Sequence, residues 1–258
     1  MGKHIALLIA TVALVPAVVM PAVVHADKDK KYTLADLKAL VDGKSYNEAL
    51  DHLDDISPSE RKADWEDLAG RAAVGAVDHA REPLQKLQLM IGIEEKFPSV
   101  VKHTKYNSVR TEVGPKGFAA CFDASYDPGE CRNFAIKFVD DDAANGKLAL
   151  AMAKVARKGM FAYNSVPLFK RAVAANKGPA VCKDEDLKLA TVAALGLPSD
   201  DEQQVDGRGL ANACWGDLRA PIIAALKEDG SGYTKTNVCE VLKARKELRG
   251  ELVASCAP

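Results

Sequence analysis

The chain has 258 residues, with 35 basic and 36 acidic side chains, a formal charge of −1, and 48% hydrophobic residues. A balance this close to neutral excludes the basic footprint that nucleic-acid binding requires. The length is enough to bury a core in one large domain or two small ones.

At the N-terminus, Lys3 and His4 precede an apolar stretch from Ile5 to Val24, which ends in Val24-His25-Ala26 and the charged run Asp27-Lys28-Asp29-Lys30-Lys31. Basic start, apolar middle and small residues before a charged run form the three-part pattern of a secretory signal peptide, here residues 1–26. The apolar stretch is also long enough for an uncleaved anchor, but Pro16 and Pro21 weaken a spanning helix. After residue 26 no segment is apolar for long enough to cross a bilayer as a helix. The expectation is therefore an extracytoplasmic chain, secreted or periplasmic, with no membrane span after cleavage.

From residue 27 onward Ala, Leu, Lys and Glu dominate, and apolar residues recur at three and four rather than at two. Leu34, Leu37, Leu40 and Val41 make one helical face, and Ala49, Leu50, Leu53 and Ile56 a second. Ser57-Pro58-Ser59-Glu60 has the form of a capping box, predicting a long helix through Trp65, Leu68, Ala72 and Ala76. Further helix starts are predicted at Asp140 to Asp142, Ser165 to Pro167, Asp184 to Asp186 and near Thr234. Breakers are expected at Pro83, Pro98, Gly114-Pro115, Pro128-Gly129, Gly146, Gly178-Pro179, Gly196 to Pro198 and Asp229 to Gly232. Phe134 to Phe138 alternates like a short strand, but its neighbours favour helix.

Between the first two helices stands Gly43-Lys44-Ser45-Tyr46-Asn47-Glu48-Ala49-Leu50. A glycine, a tyrosine three positions later and Glu-Ala-Leu entering the next helix resemble the middle of a tetratricopeptide repeat. The pattern departs at Ala39, where that family has tryptophan, and at Asp42, where it has leucine, and it does not recur at the family's period. The resemblance implies antiparallel helices packed closely through small residues and a groove that binds protein rather than a catalytic site.

All six cysteines, Cys121, Cys131, Cys182, Cys214, Cys239 and Cys256, follow residue 26. An even number in an exported chain points to disulfides. Cys121 and Cys131 flank a turn-forming run and are expected to pair. Helix between Cys239 and Cys256 would hold them about 25 Å apart, beyond the ~4.4–6.8 Å that a bridge permits. Six cysteines allow fifteen connectivities, and the one expected here sets Cys214 with Cys239 and Cys182 with Cys256 beside Cys121–Cys131.

The sequence carries few candidates for chemistry. Gly43-Lys44-Ser45 lacks the glycine five positions earlier that a phosphate loop needs, Lys38 standing there. Cys214-Trp215 is similar to the Cys-Trp pair of papain-like proteases, but no histidine follows it. Asp229, Ser231, Asn237 and Glu240 occupy calcium-loop positions one, three, nine and twelve, a partial ligand set without the central glycine. No Cys-x-x-Cys occurs, and no cofactor is expected. His79, His103 and Glu94 lie on adjacent predicted helices and are the best residues for a hydrolase-like site assembled only in the fold.

These readings converge on an all-α fold, a bundle or short array of antiparallel helical hairpins stapled by disulfides in its C-terminal half. A helical-hairpin region, 27–178, is expected to join a cysteine-bearing region, 179–258, in one body. The function expected is a non-enzymatic binding or scaffold role, with another protein held in a groove between helices.

Overall fold

The computed structural model describes residues 31–124, 128–176, 179–228 and 232–243. The chain divides into two units, Met1–Lys31 and Tyr32–Pro258. The signal-peptide expectation lies outside the described residues, and from Tyr32 onward the chain is one compact unit.

Among the described residues twelve α-helices follow one another: α1 Leu34–Asp42, α2 Tyr46–Asp51, α3 Ala63–His79, α4 Pro83–Lys96, α5 Thr104–Ala124, α6 Pro128–Asp140, α7 Gly146–Gly159, α8 Val166–Asn176, α9 Glu185–Leu195, α10 Glu202–Ala213, α11 Trp215–Glu228 and α12 Gly232–Lys243. Short 3-10 turns fill several of the joints. No strand occurs among the described residues, and Phe134 to Phe138 lies within α6. Helices pair as antiparallel hairpins, α4 with α5 and α7 with α8, in a loose tetratricopeptide-like arrangement.

The apolar periodicity places the core directly. Leu37 and Val41 of α1 and Ala49 and Leu50 of α2 are buried, as are Leu53 and Ile56 beyond it. Helix α3 is small-sided and contacts α1, α2, α4 and α5. A side chain at Gly75 would overlap the ring of Tyr46, and one at Gly70 the ring of His103, so both glycines let an aromatic ring lie against the helix backbone. The tetratricopeptide-like tyrosine thus packs as the resemblance implies, although α2 is only six residues long before it tightens into the turn Leu53–Asp55.

Three boundaries differ from the expected ones. Ser57-Pro58-Ser59-Glu60 opens only a 3-10 turn, Pro58–Glu60, and α3 starts at Ala63. Ser57 Oγ bonds the Glu60 carboxylate at 2.8 Å and caps no backbone N–H. Arg61 turns the chain because its guanidinium donates to the Ile56 and Asp54 carbonyls and lies over the Trp65 ring. Asp140 to Asp142 closes α6 instead of opening a helix; α7 starts at Gly146 with Asn145 as its cap. The aspartates serve other partners: Asp140 holds Arg171, Asp141 holds Lys137, and Asp142 accepts from Asn107. Gly114-Pro115 does not break α5, which runs straight through it. A helix-interior proline loses one backbone bond, and here packing offsets it: Gly114 lies on the Phe138 ring and Gly117 on Leu87.

Cys121 and Cys131 are bridged, with 6.1 Å between their Cα atoms, and this bond ties α5 to α6. The second described bridge is Cys182–Cys214, which overturns the expected pairs Cys214–Cys239 and Cys182–Cys256. It joins the turn Val181–Lys183 to the residue that precedes α11, where packing brings the Cα atoms to 5.2 Å. Cys239 is also disulfide-bonded, and Cys256 lies outside the described residues.

Helices α4, α5 and α6 meet at a buried ion pair. Arg110 is wholly buried and Glu94 is 3% exposed. Arg110 Nε donates to Glu94 Oε1 at 2.9 Å and Nη2 to Oε2 at 3.0 Å. Nη2 also donates to the Phe138 carbonyl, and the guanidinium lies 3.8 Å from the centre of the Phe138 ring. Leaving one such charge without its partner costs about 3–5 kcal/mol, whereas an apolar pair of similar volume is close to neutral. Urea unfolding should therefore find Glu94→Leu and Arg110→Met each destabilised by about that amount, and the double variant substantially recovered. Additive losses in the double variant would show that the pair is not coupled.

Candidate functional site

A groove of about 600 Å³ opens between α2, α3 and α4. Its apolar lining comes from Leu50, Ala76, Ala80, Leu89, Ile93 and Phe97, and its polar lining from Asn47, Asp51, His79, Gln85, Gln88 and Lys96. On α4, Gln85, Gln88, Leu89, Gly92 and Lys96 fall at helical spacing on one face, while Leu87, Met90 and Glu94 fall on the buried one. The same helix therefore presents an amide row to the groove and an ion pair to the core. Gly92 has nothing within 4 Å of a would-be Cβ, so the groove is open above it. A smaller cleft, lined by Lys44 to Glu48, shares Asn47, Ala76 and His79 with the groove and extends it towards the α1–α2 turn.

Hydrogen-bond partners decide what this lining offers. The side-chain amides of Asn47, Gln85 and Gln88 form no hydrogen bond among the described residues. His79 Nδ1 lies 2.8 Å from the Gly75 carbonyl, which only accepts, so Nδ1 donates and Nε2 is the ring nitrogen left for the groove. Lys96 is paired with Asp54 at 3.2 Å. The groove thus offers side-chain amides, one imidazole nitrogen and the Asp51 carboxylate over apolar surface, a lining that can meet a peptide backbone with small or apolar side chains.

The residues expected to assemble a hydrolase site do not converge. His79 lines the groove, His103 lines a separate 240 Å³ cleft beside Asp67, and Glu94 is held by Arg110. Both nitrogens of His103 are directed: Nδ1 accepts the Tyr106 N–H at 3.4 Å and Nε2 faces Asp67 at 3.6 Å. Cys214, in a disulfide, supplies no thiolate, and Gly43-Lys44-Ser45 is the α1–α2 turn, with Lys44 at φ 63°. Of the calcium-loop candidates, Asn237 and Glu240 lie on α12, where Asn237 Nδ2 donates to the Leu195 and Leu197 carbonyls and Glu240 pairs with Lys243. Asp229 and Ser231 lie outside the described residues. Among the described residues no three His, Cys, Asp or Glu side chains are grouped to hold a metal ion.

The strongest electrostatic feature lies behind the groove. Burial pushes the Glu94 carboxyl above its ordinary range, and Arg110 and the Tyr106 hydroxyl pull it back down. Tyr106, whose hydroxyl donates to Glu94 Oε1 at 3.1 Å, is pushed up far beyond the usual phenol value by burial and then by the Glu94 charge. Sequence reasoning named Glu94 but missed Arg110 and Tyr106. The signal was there, since Tyr106, Arg110, Gly114 and Gly117 follow one helical face whose other members are small or apolar.

No protein-family model, curated protein or solved structure matches the chain.

The Tyr106 environment predicts alkaline sensitivity. An unfolded tyrosine releases its proton near pH 10, whereas folded Tyr106 keeps it, so the unfolded chain binds fewer protons above that pH. Stability should then fall with rising pH by up to about 1.4 kcal/mol per unit. Urea unfolding across about pH 9 to 11 measures the slope, which Tyr106→Phe should flatten.

Proposed function

We propose that this protein is an exported, non-enzymatic binding protein that holds an extended segment of another polypeptide in the groove between α2, α3 and α4. The observation that carries the reading is the row of uncommitted amides, Asn47, Gln85 and Gln88, set over apolar surface beside the free Nε2 of His79. Side-chain amides match backbone amides in both donor and acceptor, and burying apolar surface supplies most of the affinity. The tetratricopeptide-like segment supports the reading, because Asn47 and Leu50 of that segment form one wall. Export is supported by the signal pattern of residues 1–26 and by the disulfides, which persist in oxidising compartments. Among the described residues no helix is long and apolar enough to cross a membrane.

A photo-crosslinking side chain at Gln88 tests the groove when the protein is expressed in its own host. It should trap a discrete polypeptide adduct that the same group at Leu189, exposed on α9, does not trap. Gly92→Trp should abolish the adduct without unfolding the chain, since that position is exposed and open. Equal labelling at both positions would overturn the groove as the binding site.

Export has its own measurement. The intact mass of protein recovered from the secretion route should equal residues 27–258 less the hydrogens lost to disulfides. A full-length mass with alkylatable thiols would overturn it.

A further inference from the structure

Asn145 is followed by Gly146, the pair most open to attack of a backbone nitrogen on a side-chain amide, because glycine has no Cβ to hinder it. In that reaction the Gly146 nitrogen bonds to Asn145 Cγ and the Cγ–Nδ2 bond breaks. Nδ2 leaves as ammonia, taking up the proton that Gly146 N loses. Water then opens the cyclic imide at one of its two carbonyls, giving aspartate or its β-linked isomer.

Every group in that reaction is engaged in the fold. Asn145 Nδ2 donates to Asn107 Oδ1 at 3.1 Å and to Thr111 Oγ1 at 3.0 Å. Its Oδ1 accepts the Leu148 N–H at 3.0 Å, capping α7. The Gly146 N–H donates to the Ala144 carbonyl at 3.0 Å. Gly146 is buried, the Asn176 side chain fills the space where its Cβ would stand, and Asn176 Nδ2 donates to the Gly146 carbonyl at 3.0 Å. These bonds join α5, α7 and α8 and engage the leaving amide, its carbonyl oxygen and the attacking nitrogen together.

We propose that Asn145 is a modification site latched by this junction: it remains an amide while the junction is closed, is converted by water when it opens, and does not allow reclosure afterwards. An aspartate still caps Leu148 but donates to neither Asn107 nor Thr111. It also sets a carboxylate against Asn107, whose Nδ2 already serves Asp142 at 2.7 Å. The β-linked isomer lengthens the main chain by one carbon and drives Gly146 into Asn176. Asn145 is thus a one-way record of opening between α5 and α7.

The test compares wild-type protein, folded and in urea, incubated at neutral pH, with conversion at Asn145 read by peptide mass spectrometry. Conversion in the folded state should be slower by at least about tenfold, since it requires the open form. Thr111→Val, which removes the Asn145 bond and the bond to the Asn107 carbonyl, should speed it by at least about fivefold in the folded state, and Asn107→Ala, which also removes the bonds to Val101 and Asp142, by more. The variant Asn145→Asp should melt below the wild type. Equal rates for wild type in the two conditions would overturn the proposal even if a variant fails to fold, and an undiminished melting temperature for Asn145→Asp would overturn its irreversible step.

Discussion

The buried pair of Glu94 and Arg110 sets the constraint on which the N-terminal half depends. Two opposite charges removed from water are tolerated only when their hydrogen-bonding groups are met in good geometry. Here the carboxylate takes a two-point contact from the guanidinium and a third bond from Tyr106, while the guanidinium reaches the Phe138 carbonyl and lies on its ring. Satisfying these bonds together fixes α4, α5 and α6 in rotation as well as in position. Rotation matters for the groove, because turning α4 about its axis would carry Gln85 and Gln88 away from α2 and α3.

Helix α3 performs the complementary task chiefly through small residues, with Arg71 on Asp42 and the Trp65 indole on the Leu53 carbonyl as its polar ties. Its run of alanines and glycines lets neighbours approach from several sides, and Tyr46 and His103 lie flat where side chains are absent. Close backbone approach shortens the distance between α2 and α4, so their exposed faces share one groove with Ala76 and Ala80 along its side. The C-terminal half is stabilised differently. Cys182–Cys214 clips the turn before α9 to the start of α11, and Asn237 of α12 donates to the Leu195 carbonyl that ends α9 and to the Leu197 carbonyl beyond it. Between the halves, the network of Asn107, Thr111, Asp142 and Asn145 replaces apolar packing with directed bonds. Directed bonds specify one geometry more sharply than apolar contact does, and each is lost outright when its partner moves.

Much of the fold was legible because it is local. Spacings of three and four identified Leu37, Val41, Ala49, Leu50 and Leu68 as core, and Asp184, Ser165 and Gly196 marked helix ends correctly. The groove was less legible. Nothing local in Gln85, Gln88 and Lys96 tells a helix face that borders a groove from one that borders bulk water. Glu94 stood out as a candidate acid or base because its partner Arg110 lies 16 residues away, beyond the reach of a periodicity argument.

By itself the sequence determined the helical class, most of the buried stripes, the pattern of a signal peptide and an even set of cysteines, since each depends on composition or on neighbours within a turn or two. Only the tertiary structure decided that Cys182 bonds Cys214, that α5 runs on through Pro115, and that Asp140 to Asp142 ends a helix. It also decided that Glu94 is buried in an ion pair with Arg110. Those outcomes turn on contacts between segments distant in the chain, where close packing and the need to satisfy buried polar groups override local preference.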